Sequence, residues 1–202
     1  MTAIKMCGLS RECDIKAVNE IRPEYIGFVF FGKSIRYITP EKASELKKVL
    51  DKDIKAVGVF VDEDIKTVAE LLNHDIIDMA QLHGNEDDEY INSLKAMTGK
   101  PVIKAFRISS RNDAEKAVES TADMILLDAG AGNGKIFDWS LISDIKRPYF
   151  LAGGLNHGNI SEAVKILHPY AVDVSSGIET NGFKDIEKMI AFAQAVRKEN
   201  EL

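Results

Sequence analysis

No stretch of the sequence reaches the roughly 18 to 20 consecutive apolar residues that a membrane-spanning helix needs, and Met1 to Gly8 holds no long hydrophobic segment of the secretory kind. Together these absences predict a cytoplasmic protein with no membrane partner. Cysteine is scarce: Cys7 and Cys13 lack a CxxC spacing and a nearby ligand cluster, so neither a disulfide framework nor a metal site is indicated. Runs of Lys and Arg are also missing. With 26 basic and 32 acidic side chains the net charge is −6, which argues against nucleic acid as the main partner while leaving room for a small anionic ligand. Linkers, charge blocks and low-complexity segments are absent too, so residues 1–202 are expected to form one domain.

What the sequence does contain is a regular beat of apolar, β-branched runs. They are Ala3 to Met6, Tyr25 to Phe30, Ala56 to Val61, Ile76 to Leu82, Val102 to Phe106, Met124 to Leu127, Tyr149 to Ala152 and Ala171 to Val174. Most are continuous and do not alternate, as strands covered on both faces read, and parallel strands fit that best. Between them lie segments of helical period with start signals. Examples are Thr39-Pro40-Glu41 and Asp62-Glu63-Asp64, with Asn85 before Asp88 and Asn159 before Glu162 as further capping arrangements. Cys13, Ala17 and Ile21 read as the buried face of the first helix. In the last helix Ile186, Met189, Ile190, Ala193 and Val196 make an apolar stripe, with Lys184, Glu187, Lys188 and Arg197 toward water. Eight βα units in this length predict an α/β fold, a single (β/α)8 TIM barrel; no Gly-rich fingerprint follows the first strand to favour an open doubly wound sheet.

A parallel barrel displays its site at the C-terminal ends of its strands, so the residues just after each run are the informative ones. Cys7 and Asp128 fall at the ends of strands one and six, where they can face each other across a small ligand as base and acid. The thiol needs a lowered pKa to act as base, and the carboxyl needs burial to stay protonated. Cys7 is equally readable as a small buried hydrophobe. Gly153, Gly154, Ser176 and Gly177 follow strands seven and eight, where barrels commonly bind phosphate; each glycine alone could be a turn residue. Arg36, near Lys33, could fork onto a ligand carboxylate or simply sit in solvent. Gln81 and His83 end the fourth strand and join the substrate-binding candidates. His74, His157 and His168 read as surface or capping residues.

The strand-end residues resemble the phosphoribosylanthranilate isomerases, (β/α)8 enzymes of tryptophan biosynthesis, over nearly the whole chain. The resemblance rests on Lys5-Met6-Cys7-Gly8, Lys33-Ser34-Ile35-Arg36-Tyr37-Ile38-Thr39-Pro40-Glu41, Gln81-Leu82-His83-Gly84, Leu127-Asp128, Phe137-Asp138-Trp139, Leu151-Ala152-Gly153-Gly154-Leu155 and Val172-Asp173-Val174-Ser175-Ser176-Gly177-Ile178-Glu179. It implies Cys7 as general base, Asp128 as general acid, Arg36 as the contact to the anthranilate carboxylate, and phosphate loops at Gly153, Gly154 and Ser175 to Gly177. It further implies an Amadori rearrangement of a sugar phosphate that needs no cofactor. The family's Gly-Gly-Thr/Ser-Gly stretch before Phe-Asp-Trp is here Gly132-Asn133-Gly134, a residue shorter.

Two other readings compete. The histidine-pathway isomerase that performs the same rearrangement on a larger two-phosphate substrate places an aspartate where Cys7 stands, and has a Gly-Gly loop after the third strand where Asp62-Glu63-Asp64 sits here. A non-catalytic barrel that binds a phosphate ligand would keep the loops without turnover. The outer helix faces show no large apolar patch or coiled-coil seam, which leaves monomer and homodimer both open.

Overall fold

In the computed structural model, residues 1–128 and 138–201 are described. Eight parallel strands, β1 (Ala3–Cys7), β2 (Tyr25–Val29), β3 (Lys55–Phe60), β4 (Met79–Leu82), β5 (Val102–Arg107), β6 (Met124–Asp128), β7 (Tyr149–Ala152) and β8 (Ala171–Val174), pair in chain order. The sheet closes where β1 meets β8, with Lys5 opposite Asp173. The barrel is wrapped by α1 (Glu12–Ile21), α2 (Pro40–Val49), α3 (Ile65–Asn73), α4 (Asp88–Thr98), α5 (Arg111–Glu119), α6 (Ile160–Leu167) and α7 (Ile186–Asn200). Between β6 and β7 the described residues hold only a 3₁₀ turn, Trp139–Leu141, where an eighth helix was expected. The shortened Gly132-Asn133-Gly134 stretch lies outside the described residues.

Side chains alternate across each strand, so the barrel divides its apolar content into two layers. One set points outward to the helices, including Ile4, Met6, Ile26, Phe28, Phe60, Val172 and Val174. The other fills the barrel with Tyr25, Val57, Met79, Ile103, Leu126, Phe150 and Ala171. Both faces being covered is why the strands read as continuous apolar runs. Lys5, Gln81 and Asp173 interrupt those runs and are carried on the same strands toward the mouth.

Local chemistry sets several helix starts. Thr39 accepts from the backbone N–H of Lys42, with Pro40 at the first helical position, and Asp64 accepts from that of Lys66. Two other expected caps are corrected. The α4 cap is Asp87, because Asn85 turns away and donates its amide to Asp62 Oδ2 at 3.1 Å. Asn159 stands at the cap of α6 but makes no side-chain bond to the helix. Its Oδ1 instead accepts from the Asn156 N–H at 2.9 Å and its Nδ2 donates to the Gly154 carbonyl at 3.1 Å, fixing the loop after β7.

Three burial expectations are corrected as well. Cys13 is exposed: α1 begins at Glu12, and its inward face is Asp14, Ile15, Val18 and Ile21, with Ala17 also covered. In α7 the inward stripe is Met189, Phe192, Ala193 and Val196, which leaves Ile186 and Ile190 at the surface. Lys184, expected to face water, is buried, because it precedes α7 in a short hairpin of β9 (Glu179–Thr180) and β10 (Phe183–Lys184) that folds it back over the barrel mouth. His74, His157 and His168 are exposed, with His74 and His168 at the C-terminal caps of α3 and α6, as expected.

Candidate active site

A cavity of about 280 Å³ opens at the C-terminal end of the barrel. Its lining brings together Cys7, Arg36, Gln81, His83, Asp128, Gly153, Gly154, Ser175 and Ser176, contributed by seven of the eight strand ends or their loops once Val29 and Val59 are included. A larger cavity, about 460 Å³, lies at the opposite end around Met1, Pro148 and His168 and contains none of these groups. Gly177 follows directly on the lining residues Ser175 and Ser176. A Cβ there would come within 1.9 Å of the Leu155 carbonyl oxygen, so this glycine lets the loops after β7 and β8 touch. Gly153 and Gly154 both adopt left-handed φ values, 94° and 67°, which suits a tight turn at the cavity edge.

Cys7 is buried beside a charged layer one step deeper in the barrel. The fully buried Lys5, two residues earlier on the same face of β1, donates to Asp173 Oδ1 at 2.9 Å from the neighbouring strand. Asp173 and Cys7 hold the Lys5 ammonium above its ordinary pKa although burial works against it. For Cys7 the balance runs the other way. Burial pushes the thiol up, Lys5 and Lys184 oppose it, and Asp173 adds to the rise. Desolvation outweighs the two ammonium groups, so these neighbours alone do not supply the lowered thiol that a base needs. Gly27, opposite Cys7 on β2, leaves room for the sulfur, since a Cβ there would lie 2.5 Å from Sγ.

Arg36 does not stand in solvent. Its Nε and Nη2 fork onto Glu179 Oε1 and Oε2, both at 2.7 Å, and Lys184 Nζ donates to the same Oε1 at 2.5 Å and to the Ser175 carbonyl at 3.0 Å. Burial would raise the Glu179 pKa, but Arg36 and Lys184 hold it below the usual carboxylate range. The pairing fixes the guanidinium plane while Nη1 has no hydrogen bond among the described residues. On the far wall, Gln81 Nε2 lies 3.0 Å from His83 Nδ1, and His83 Nε2 lies 3.3 Å from Asp128 Oδ2.

Lys5, Asp173, Glu179 and Lys184 were not among the sequence candidates. The available signal was a charge inside an apolar strand, as at Lys5 and Asp173. Glu179 and Lys184 offered none, because their positions depend on the hairpin.

A closed (β/α)8 barrel whose mouth gathers a thiol, a carboxyl, a fixed guanidinium and two glycine- or serine-bearing loops has the layout of a barrel enzyme. The family model described as N-(5'-phosphoribosyl)anthranilate (PRA) isomerase matches residues 4–195. An N-(5'-phosphoribosyl)anthranilate isomerase of Endomicrobium trichonymphae is 46% identical over 202 residues, covering 98% of this chain and 99% of the relative. The crystal structure of phosphoribosyl anthranilate isomerase from Thermotoga maritima superposes with a TM-score of 0.90 at 35% identity, covering 98% of this chain and all of that one. A further solved isomerase, in complex with reduced 1-(o-carboxyphenylamino)-1-deoxyribulose 5-phosphate, gives a TM-score of 0.87 at 35% identity and the same coverage. The chain belongs to the phosphoribosylanthranilate isomerase family, the isomerases of tryptophan biosynthesis.

Proposed function

We propose that the chain rearranges N-(5-phosphoribosyl)anthranilate to 1-(2-carboxyphenylamino)-1-deoxyribulose 5-phosphate with Cys7 as general base and Asp128 as general acid. The observation that carries this reading is the convergence of both side chains, from β1 and β6, on one cavity. Asp128 gives its proton to the furanose ring oxygen and the C1–O bond breaks, opening the sugar to a protonated imine. The positive nitrogen acidifies the hydrogen on C2. Cys7, as thiolate, takes that hydrogen, and the electron pair moves to give an enolamine that tautomerises to the ketone. Lys5 and Lys184 supply positive charge that favours the thiolate, and the cationic imine formed beside it adds to theirs.

Binding supplies alignment. The loops after β7 and β8, at Gly153, Gly154, Ser175 and Ser176 and backed by Gly177, take the phosphate, and Arg36 takes the anthranilate carboxylate through its Nη1 edge. Gln81 and His83 form the wall beside the ribose. Holding both ends of the substrate converts remote binding energy into placement of C2 against the sulfur. The reaction as written uses no cofactor. Its test is an assay that follows loss of substrate anthranilate fluorescence. Cys7→Ala and Asp128→Asn should each lower kcat by roughly 100-fold or more, the usual scale of a lost acid or base. Near wild-type turnover in either variant would remove that residue from its role, and tight phosphate-ligand binding without any turnover in the unmodified protein would favour a non-catalytic barrel.

A further inference from the structure

Gln81 is an anomaly in its strand. Its neighbours Met79, Ala80 and Leu82 are apolar, its side chain is 1% exposed, and its one side-chain hydrogen bond among the described residues goes to His83. A buried amide loses its hydration, so packing alone would be better served by an apolar side chain of similar size. The bond it makes has a direction. An amide nitrogen only donates, so with Gln81 Nε2 facing it, His83 Nδ1 accepts. The imidazole proton is then on Nε2, which faces Asp128 Oδ2 at 3.3 Å.

Resting on the reading of Asp128 as general acid, we infer that Gln81 and His83 are a positioning pair which keeps Asp128 Oδ2 as an acceptor and leaves the transferable proton on Oδ1. As that proton leaves for the ring oxygen, negative charge grows on the carboxylate, and its attraction to the His83 Nε2–H, 3.3 Å from Oδ2, becomes stronger in the transition state than in the ground state. The pair neither gives nor takes a proton in the reaction. Turned over, the Gln81 amide would present its oxygen to Nδ1, bare the Nε2 lone pair, and draw the acidic proton to Oδ2, away from the delivering position. The loop that carries His83 is pinned independently, since the buried Lys104 donates to the Gly84 carbonyl at 2.7 Å and to Glu86 Oε2 at 2.8 Å.

The test uses the intact protein, nitrogen-labelled at histidine, together with steady-state kinetics. The wild-type His83 imidazole should carry its single proton on Nε2, and Gln81→Leu should abolish that preference. His83→Ala should lower kcat by about ten-fold, the low end of what losing an orienting partner costs, a larger factor than the rise in KM from losing its part of the wall beside the ribose. His83→Gln, whose amide can again donate to Asp128, should recover part of the loss. A wild-type imidazole protonated on Nδ1, singly or doubly, overturns the inference. So does a His83→Ala variant with raised KM and unchanged kcat, which would make His83 a substrate contact. Asp128→Asn run beside them separates the two claims. Full turnover there sinks the acid assignment and the pair with it, whereas an inactive Asp128→Asn with an unaffected His83→Ala sinks the pair alone.

Discussion

A buried thiol is poorly hydrated as an anion, and at Cys7 that cost exceeds what the nearby ammonium groups of Lys5 and Lys184 return. A thiol whose pKa is raised has less thiolate at any given pH, so its alkylation rate should climb with pH through a midpoint above the ordinary thiol value of about 8.5. Measuring iodoacetamide incorporation in a Cys13→Ser background isolates Cys7, because Cys13 is the exposed cysteine. A midpoint at or below the ordinary value would mean that the two ammonium groups outweigh burial. Cys7, Asp128 and Arg36 were legible from the sequence because each follows an apolar run, and a parallel barrel turns such ends toward its mouth. Their electrostatic setting was not legible. Lys5 meets Asp173 across 168 positions and Arg36 meets Glu179 across 143, and no local pattern reports a contact that only barrel closure creates.

Among the elements, the strands were readable because burial on both faces leaves a continuous apolar run. Caps were readable only where the side chain serves its own helix. Thr39 and Asp64 do; Asn85 and Asn159 spend their amides on neighbouring loops, which the same residue type permits equally well. The loop from β4 to α4 shows what such spending secures. Glu86 accepts from the Asp62 N–H at 2.8 Å, the Gly84 N–H at 2.9 Å and Lys104 Nζ at 2.8 Å, joining β3, β4 and β5 beneath His83. Both charged side chains are almost fully buried. Glu86→Gln removes the counter-charge and leaves the Lys104 ammonium buried, which should cost about 3–5 kcal/mol in urea unfolding. A loss below about 1 kcal/mol would place that ammonium within reach of water.

On the scale of the whole molecule, the seam that closes the barrel is also the floor of the site. The Lys5–Asp173 pair joins the first strand to the last, so the charge that bears on Cys7 exists only in the closed form. A buried ion pair is seldom the most stable filling for such a place, since an apolar pair of similar volume avoids desolvating two charges. Asp173→Leu alone should destabilise by about 3–5 kcal/mol, because it strands the Lys5 ammonium, and adding Lys5→Met should recover most of that loss. Turnover should not recover with it. The double variant loses the ammonium that favours the Cys7 thiolate, so urea midpoints and the fluorescence assay are expected to part company. Recovery of both together would make the pair a structural filling that the chemistry does not use, and the source of positive charge beside the thiolate would then have to be Lys184.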